Sequence, residues 1–214
     1  MSDPFAVIVA GGRGPVPRRY GAAGLLVCAD GGLARVLRAG WTPHVLVGDW
    51  DSLDRSLLDR LDGTRIERIR YPADKDKTDT ELAVDVVADR GYSRAFLLAG
   101  LGGRIDHALA NLLLTRYAAD RGVDLRVVAA GTLVQFVRGG AVLDARPGDW
   151  VSLFSLRGHS SGISTRGLRF VLVDGALTMG SSLGVSNEVT SAQPTVEVRD
   201  GELLAVRIRR GRAR

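Results

Sequence analysis

The sequence predicts an α/β fold class: an N-terminal α/β domain with a mainly parallel sheet over residues 1–130, then a C-terminal all-β domain, sandwich or barrel, over residues 131–214. Three observations carry this reading. Short apolar runs alternate with helix-period segments through the first half, as in a sheet layered with helices. Several of those runs end in turns rich in glycine and aspartate. After about Gly131 the helical period stops, and short β-rich runs separated by tight turns replace it.

In chain order, Phe5–Ala10 is expected to be a strand ending in G-G-R-G-P. Leu25–Ala29 is a second, followed by A-D-G-G and a helix over Leu33–Arg38. Val45–Val47 leads into G-D-W-D-S, with a short helix at Arg55–Leu61 and a strand at Arg65–Ile69. Thr78 and Glu81 form a capping box opening a helix over Asp79–Arg90 that buries Leu82 and Val86. Ala95–Ala99 ends in G-L-G-G-R, and the next helix carries Ile105, Leu109, Leu112, Leu113 and Tyr117 at helical spacing. Leu125–Ala129 closes the series. Beyond it, strands are expected at Leu133–Val137, Trp150–Leu156, Arg169–Val173, Thr195–Val198 and Leu203–Ile208, with turns such as R-P-G-D and R-D-G-E between them.

Composition narrows the function. No apolar run approaches the ~20 residues that cross a bilayer, and M-S-D-P-F-A-V-I-V-A-G-G lacks the pattern of a signal peptide. The single cysteine, Cys28, sits in an apolar strand without an intrachain partner, so a cytoplasmic location is expected. The net charge of +5 draws heavily on the terminal R-R-G-R-A-R, read as a solvated tail. No zinc-finger, helix-turn-helix or aromatic–basic pattern points to nucleic acid.

In open parallel sheets, ligands gather at the carboxyl ends of the strands. G-G-R-G, A-D-G-G, G-D-W-D-S, D-K-D-K-T-D and G-G-R-I-D-H all follow strands there. Aspartates alternating with lysine and arginine at such bends suit a hard cation and a polyphosphate bound together. Asp49 and Asp51, at i and i+2, point the same way on extended backbone, and two carboxylates that close favour a cation between them. Each motif has a plainer reading as well. Asp51 or Ser52 suits the cap of the following helix, Asp79 suits a helix dipole, and Asp106 suits a cap in a tight turn.

Taken together, A-D-G-G, G-D-W-D-S, D-K-D-K-T-D and G-G-R-I-D-H-A-L-A-N, followed by S-T-R-G-L-R-F and G-V-S-N-E, resemble the thiamine pyrophosphokinase family across nearly the whole chain. The resemblance implies transfer of diphosphate from ATP to the hydroxyethyl group of thiamine, with release of AMP. It also implies Mg²⁺, a homodimer, and thiamine bound between the α/β domain of one subunit and the β domain of the other. By motif position, Asp49, Asp51 and Asp76 would serve the metal. Asp76, Asp79, Arg104 and Asp106 would stand at the reacting groups, and Lys75 and Lys77 beside the phosphates. Ser164, Phe170, Ser186 and Asn187 would form the thiamine pocket. A metal-dependent phosphohydrolase and a catalytically silent thiamine or nucleotide sensor are the competing classes.

Two departures from the family pattern stand out: Trp50 where phenylalanine is common, and Phe170 where tryptophan or tyrosine is expected. Alternation in L-R-F-V-L-V puts Leu168, Phe170 and Leu172 on one face, which by periodicity alone is a core assignment for Phe170.

Overall fold

The computed structural model describes residues 4–14, 16–51 and 53–210, so Ser52 and the last four residues of the basic tail lie outside the described residues. The chain divides into two compact units, the first ending at Ala130 and the second beginning at Gly131.

In the first unit, β1 (Ala6–Val9), β2 (Leu25–Ala29), β3 (Val45–Gly48), β4 (Glu67–Arg70), β5 (Arg94–Leu98) and β6 (Asp124–Ala129) form a sheet in the order β6-β5-β1-β2-β3-β4. Every pairing among them is parallel. The residues of β1, β2 and β3 are all buried, as expected of central strands covered on both faces. β4, with the sequence E-R-I-R, carries its charges at the sheet edge, where they discourage further pairing. The helices are α1 (Gly32–Arg38), α2 (Arg55–Asp59), α3 (Asp79–Asp89) and α4 (Ile105–Asp120). α3 packs on β1, β2 and β3, with Leu82 and Val86 buried, while α4 packs on β6 and α3. Among the described residues, no helix is long and apolar enough to cross a membrane.

Cys28 is fully buried in β2, and burial pushes its thiol well above the ordinary range. Ellman's reagent is therefore expected to leave the native protein unmodified and to titrate one thiol per chain after denaturation. Rapid reaction in the native state would contradict the packing of this strand.

Part of the apolar series expected on α4 faces outward, while Leu112 and Tyr117 are half-buried. Ile105, Leu109 and Leu113 are exposed, whereas Asn111, Leu114, Thr115 and Ala118 are buried. The helix is apolar on more than one face, so periodicity could not select the one that packs.

The second unit is antiparallel throughout. Its strands are β7 (Thr132–Val142), β8 (Trp150–Ser155), β9 (His159–Arg166), β10 (Gly175–Thr178), β11 (Asn187–Glu188) and β12 (Thr195–Ile208). β12 pairs with β7 on one side. On the other it pairs with β9 through its first half and with β8 through its second. One strand thus serves two layers, which close over Val137, Leu153, Ile163, Leu168, Val196 and Leu203. The expected turn at R-D-G-E is a bulge inside this strand, with Gly201 at φ 109°.

The strand expected at Arg169–Val173 does not form. Leu168 bridges to Val189, the Arg169 amide donates to the Glu188 carbonyl and the Thr165 amide to the Leu172 carbonyl, and side chains meet other backbone groups of the segment. The Phe170 amide donates to Asn187 Oδ1 at 2.9 Å, and Asn187 Nδ2 donates to the Phe170 carbonyl at 2.6 Å. The Leu172 amide donates to Thr165 Oγ1 at 2.9 Å, and that of Asp174 to Ser164 Oγ at 3.2 Å. Polar side chains on β9 and β11 supplement those few backbone bonds where a full ladder is missing. The flanking strands β9 and β10 escaped sequence reasoning because H-S-S-G-I-S-T-R and G-A-L-T carry few β-branched residues.

Candidate active site

The loops after β1, β2 and β5, together with the approach to α3 and the start of α4, enclose a cleft of about 670 Å³. Close backbone packing shapes it. A Cβ on Gly12 would stand 2.4 Å from the Ala99 carbonyl oxygen, so only glycine lets the β1 loop meet the end of β5. Three non-glycine residues just past strand ends have left-handed backbones: Asp30 after β2, Trp50 after β3 and Ala99 after β5, with φ of 40°, 66° and 54°. Such conformations cost energy and gather where function demands a particular side-chain direction.

Two of these turns bring carboxylates together. Asp30, Asp49 and Asp51 each offer an oxygen, and the three oxygens lie within 4.8 Å of one another. Asp30 lines the large cleft, while Asp49 and Asp51 line a second cavity of about 450 Å³ beside Arg70, Tyr71 and Pro72. The carboxylates thus stand where the two spaces approach. Asp49 Oδ1 accepts from the Asp51 amide at 3.2 Å and Oδ2 from Lys75 Nζ at 3.1 Å. These contacts hold the Asp49 carboxyl below its usual range. The guanidinium of Arg70 covers the Trp50 ring at 5.4 Å, occupying its face beside the acids.

Lys75 also reaches Asp79 Oδ1 at 3.1 Å. Burial works to lower its pKa, but hydrogen bonds to Asp79 and Asp49 prevail and raise it. For Asp79, burial is the larger influence and raises the carboxyl, with Lys75 opposing. Lys77 touches the cleft wall, yet its ammonium is held by Asp85 and Tyr117, each at 2.7 Å, and these bonds raise its pKa.

The structure therefore brings together Asp49, Asp51, Lys75 and Asp79 and adds Asp30. Asp30 was legible only as part of A-D-G-G, with no second acid nearby in sequence to mark it. The capping reading of Asp51 gives way to Asp54, whose Oδ1 accepts from the Ser56 amide at 3.0 Å and opens α2. Thr78 does cap α3, accepting from the Glu81 amide. Asp76 is exposed and stands outside the carboxylate group and both cavities. Asp106, in the first turn of α4, is exposed and lines neither cavity. Arg104, at 2.5 Å, and the His107 amide hold its carboxyl down to about 2. Arg104 and His107 do line the cleft, and sequence reasoning missed Arg13, Arg35 and the buried Asn111, which line it too. Asn111 Nδ2 secures the Gly100 carbonyl at 2.7 Å.

In the second unit, Phe170 and Asn187 are joined by paired hydrogen bonds, while Ser164 Oγ accepts from the Asp174 amide further along the same segment. Phe170 is 68% exposed, which removes the core assignment that alternation suggests. Ser186, with φ of 59°, donates its amide to Ser152 Oγ at 3.0 Å just before β11.

Comparison with known families now bears on this arrangement. The family described as thiamin pyrophosphokinase, catalytic domain, matches residues 18–127. The chain belongs to the thiamin pyrophosphokinase family. The vitamin B1 binding domain of thiamin pyrophosphokinase matches residues 142–203, which include Ser164, Phe170 and Asn187. The thiamine pyrophosphokinase of Bacillus subtilis is 26% identical over 185 residues, spanning 86% of each chain. Thiamine pyrophosphokinase 2 of Arabidopsis thaliana is 29% identical over 211 residues, 85% of this chain and 77% of that one. The solved structure of the Bacillus subtilis thiamine pyrophosphokinase superposes with a TM-score of 0.85 at 25% identity, covering 96% of this chain and 99% of that one. The catalytic-domain match begins after Gly12 and Arg13, so their place at the cleft is visible only in the fold.

Proposed function

We propose that this chain is a thiamine diphosphokinase, moving the terminal diphosphate of ATP onto the hydroxyethyl oxygen of thiamine and releasing AMP. The observation that carries the reading is the meeting of Asp30, Asp49 and Asp51 beside a cleft lined with arginines, in a chain that matches both parts of that enzyme in order. In the reaction the thiamine oxygen bonds to the β-phosphorus, the bond to the bridging oxygen breaks, and AMP leaves with that oxygen. Catalysis of this kind rests on alignment and charge neutralisation.

Asp30, Asp49 and Asp51 are the residues we assign to hold magnesium, since an all-carboxylate set of closely spaced oxygens fits a hard cation. When bound, the ion would neutralise charge on the polyphosphate. Arg13, Arg35 and Arg104 line the cleft and supply further positive charge for phosphate oxygens. Asp79 lines the same cleft, whereas Asp106 is outside it and locked to Arg104, so Asp79 is the better placed acceptor for the thiamine hydroxyl proton. The acids also attract the cationic thiazolium. The homodimer is our reading as well, supported by the exposed Ile105, Leu109 and Leu113 on α4, and sedimentation tests it: a monomer at micromolar concentration would overturn it. The unpaired Cys28 agrees with a reducing cytoplasm.

A coupled assay for AMP, run with and without thiamine, decides the function. AMP formed only with thiamine is the expected result. Phosphate release without thiamine would indicate a hydrolase, and binding without turnover a sensor.

Phe170 supplies a further test. Because it is exposed, Phe170→Ala is expected to leave the melting temperature nearly unchanged while weakening thiamine binding by roughly tenfold, the value of an aromatic face. Calorimetric titration with thiamine and with ATP measures both. Equal weakening for the two ligands, or a large fall in melting temperature, would remove Phe170 from the thiamine pocket.

A further inference from the structure

We infer that Lys75 is a tethered counter-ion of the carboxylate site, competing with the divalent cation for Asp49. The inference rests on the proposed reading of Asp30, Asp49 and Asp51 as the metal-holding residues. Three acceptors surround the Lys75 ammonium: Asp49 Oδ2 at 3.1 Å, Asp79 Oδ1 at 3.1 Å and the Pro72 carbonyl at 3.2 Å. Asp49 and the Pro72 carbonyl accept hydrogen bonds from it, Asp79 stands beside it as an ion-pair partner, and the side chain is only 13% exposed. Both Asp49 oxygens thus carry a contact, since Oδ1 accepts from the Asp51 amide.

A cation engaging Asp49 would stand close to the Lys75 ammonium, and repulsion between the two charges favours release of the more mobile one. The Asp51 amide is fixed by a two-residue turn of backbone, whereas Lys75 hangs on a flexible four-carbon stem. Lys75 is the contact that yields. It also lines the large cleft, so an ammonium released from Asp49 is already beside the space assigned to phosphate. Lys75 thus keeps the acids apart from one another's repulsion in the metal-free protein and turns to the nucleotide when metal takes its place. Lys77, by contrast, is bound to Asp85 and Tyr117 and makes no such exchange.

The test is a Mn²⁺ titration, followed by electron paramagnetic resonance without nucleotide, of the wild type, Lys75→Met and Lys77→Met. Lys75→Met is expected to bind Mn²⁺ about tenfold more tightly than wild type, and Lys77→Met within about twofold of it. Without metal, Lys75→Met should melt below wild type, and saturating Mn²⁺ should narrow that gap, which a merely structural lysine would not do. Lys75→Gln serves if the methionine variant does not fold. Unchanged or weaker Mn²⁺ binding by Lys75→Met, or equal tightening in both variants, would overturn the inference alone. Failure of every protein, wild type included, to bind Mn²⁺ would overturn the metal assignment itself and this inference with it.

Discussion

Asp49→Asn and Asp51→Asn are each expected to reduce diphosphate transfer by about 100-fold or more while the fold persists. Both residues follow β3, whose buried V-L-V-G run is anchored between β2 and β4, so the strand does not depend on their charge. Amide substitution keeps the shape and one acceptor oxygen but removes a negative charge from the group with Asp30. At Asp49 the loss is complete at neutral pH, since the Asp51 amide and Lys75 hold that carboxyl below its ordinary range and hence ionised. The lowered pKa also sets the sign of the pH dependence. Its stabilising contribution is present above the unfolded-state pKa and is lost as pH falls through the folded-state value, and Asp49→Asn removes this acid-side term. Initial rates across a magnesium series, with circular dichroism as the control for folding, make the measurement. Wild-type activity in either variant at limiting magnesium would sink the assignment.

The largest effect on stability is expected at Gly32. A Cβ there would lie 1.9 Å from the Val9 carbonyl oxygen and 2.7 Å from its carbon, because α1 begins pressed against the end of β1. The obstacle is backbone in the buried centre of the sheet and cannot rotate away. Gly32→Ala is expected to destabilise the protein by about 3 kcal/mol or more, even though alanine favours helix. Gly158→Ala is the control: a Cβ there meets nothing within 4 Å, and its φ is not in the left-handed region. It should stay within about 0.5 kcal/mol of wild type. Urea denaturation of the pair reads the difference directly, and similar midpoints would contradict the close packing of α1 on β1.

The sequence by itself determined the alternation of strands and helices, since a 2-residue or 3.6-residue apolar period is written locally. It also determined that acids and bases fall after strands, because glycine and aspartate punctuate turns wherever they occur. The paired Asp49 and Asp51 were readable from their spacing, and the two thiamin pyrophosphokinase domain matches span them and Phe170. The rest depends on neighbours brought together by folding. Asp30 joins Asp49 and Asp51 because parallel β2 and β3 end side by side, a juxtaposition that the intervening chain, with α1 in it, conceals. Asp76 and Asp106 are as acidic in sequence as the others, yet the loop that carries Asp76 and the first turn of α4 that carries Asp106 leave them in solvent. The outward stripe of α4 and the side-chain ladder holding Phe170 follow the same physics. Which face is buried, and which polar group meets which, depends on neighbours distant in sequence, and no local period encodes them.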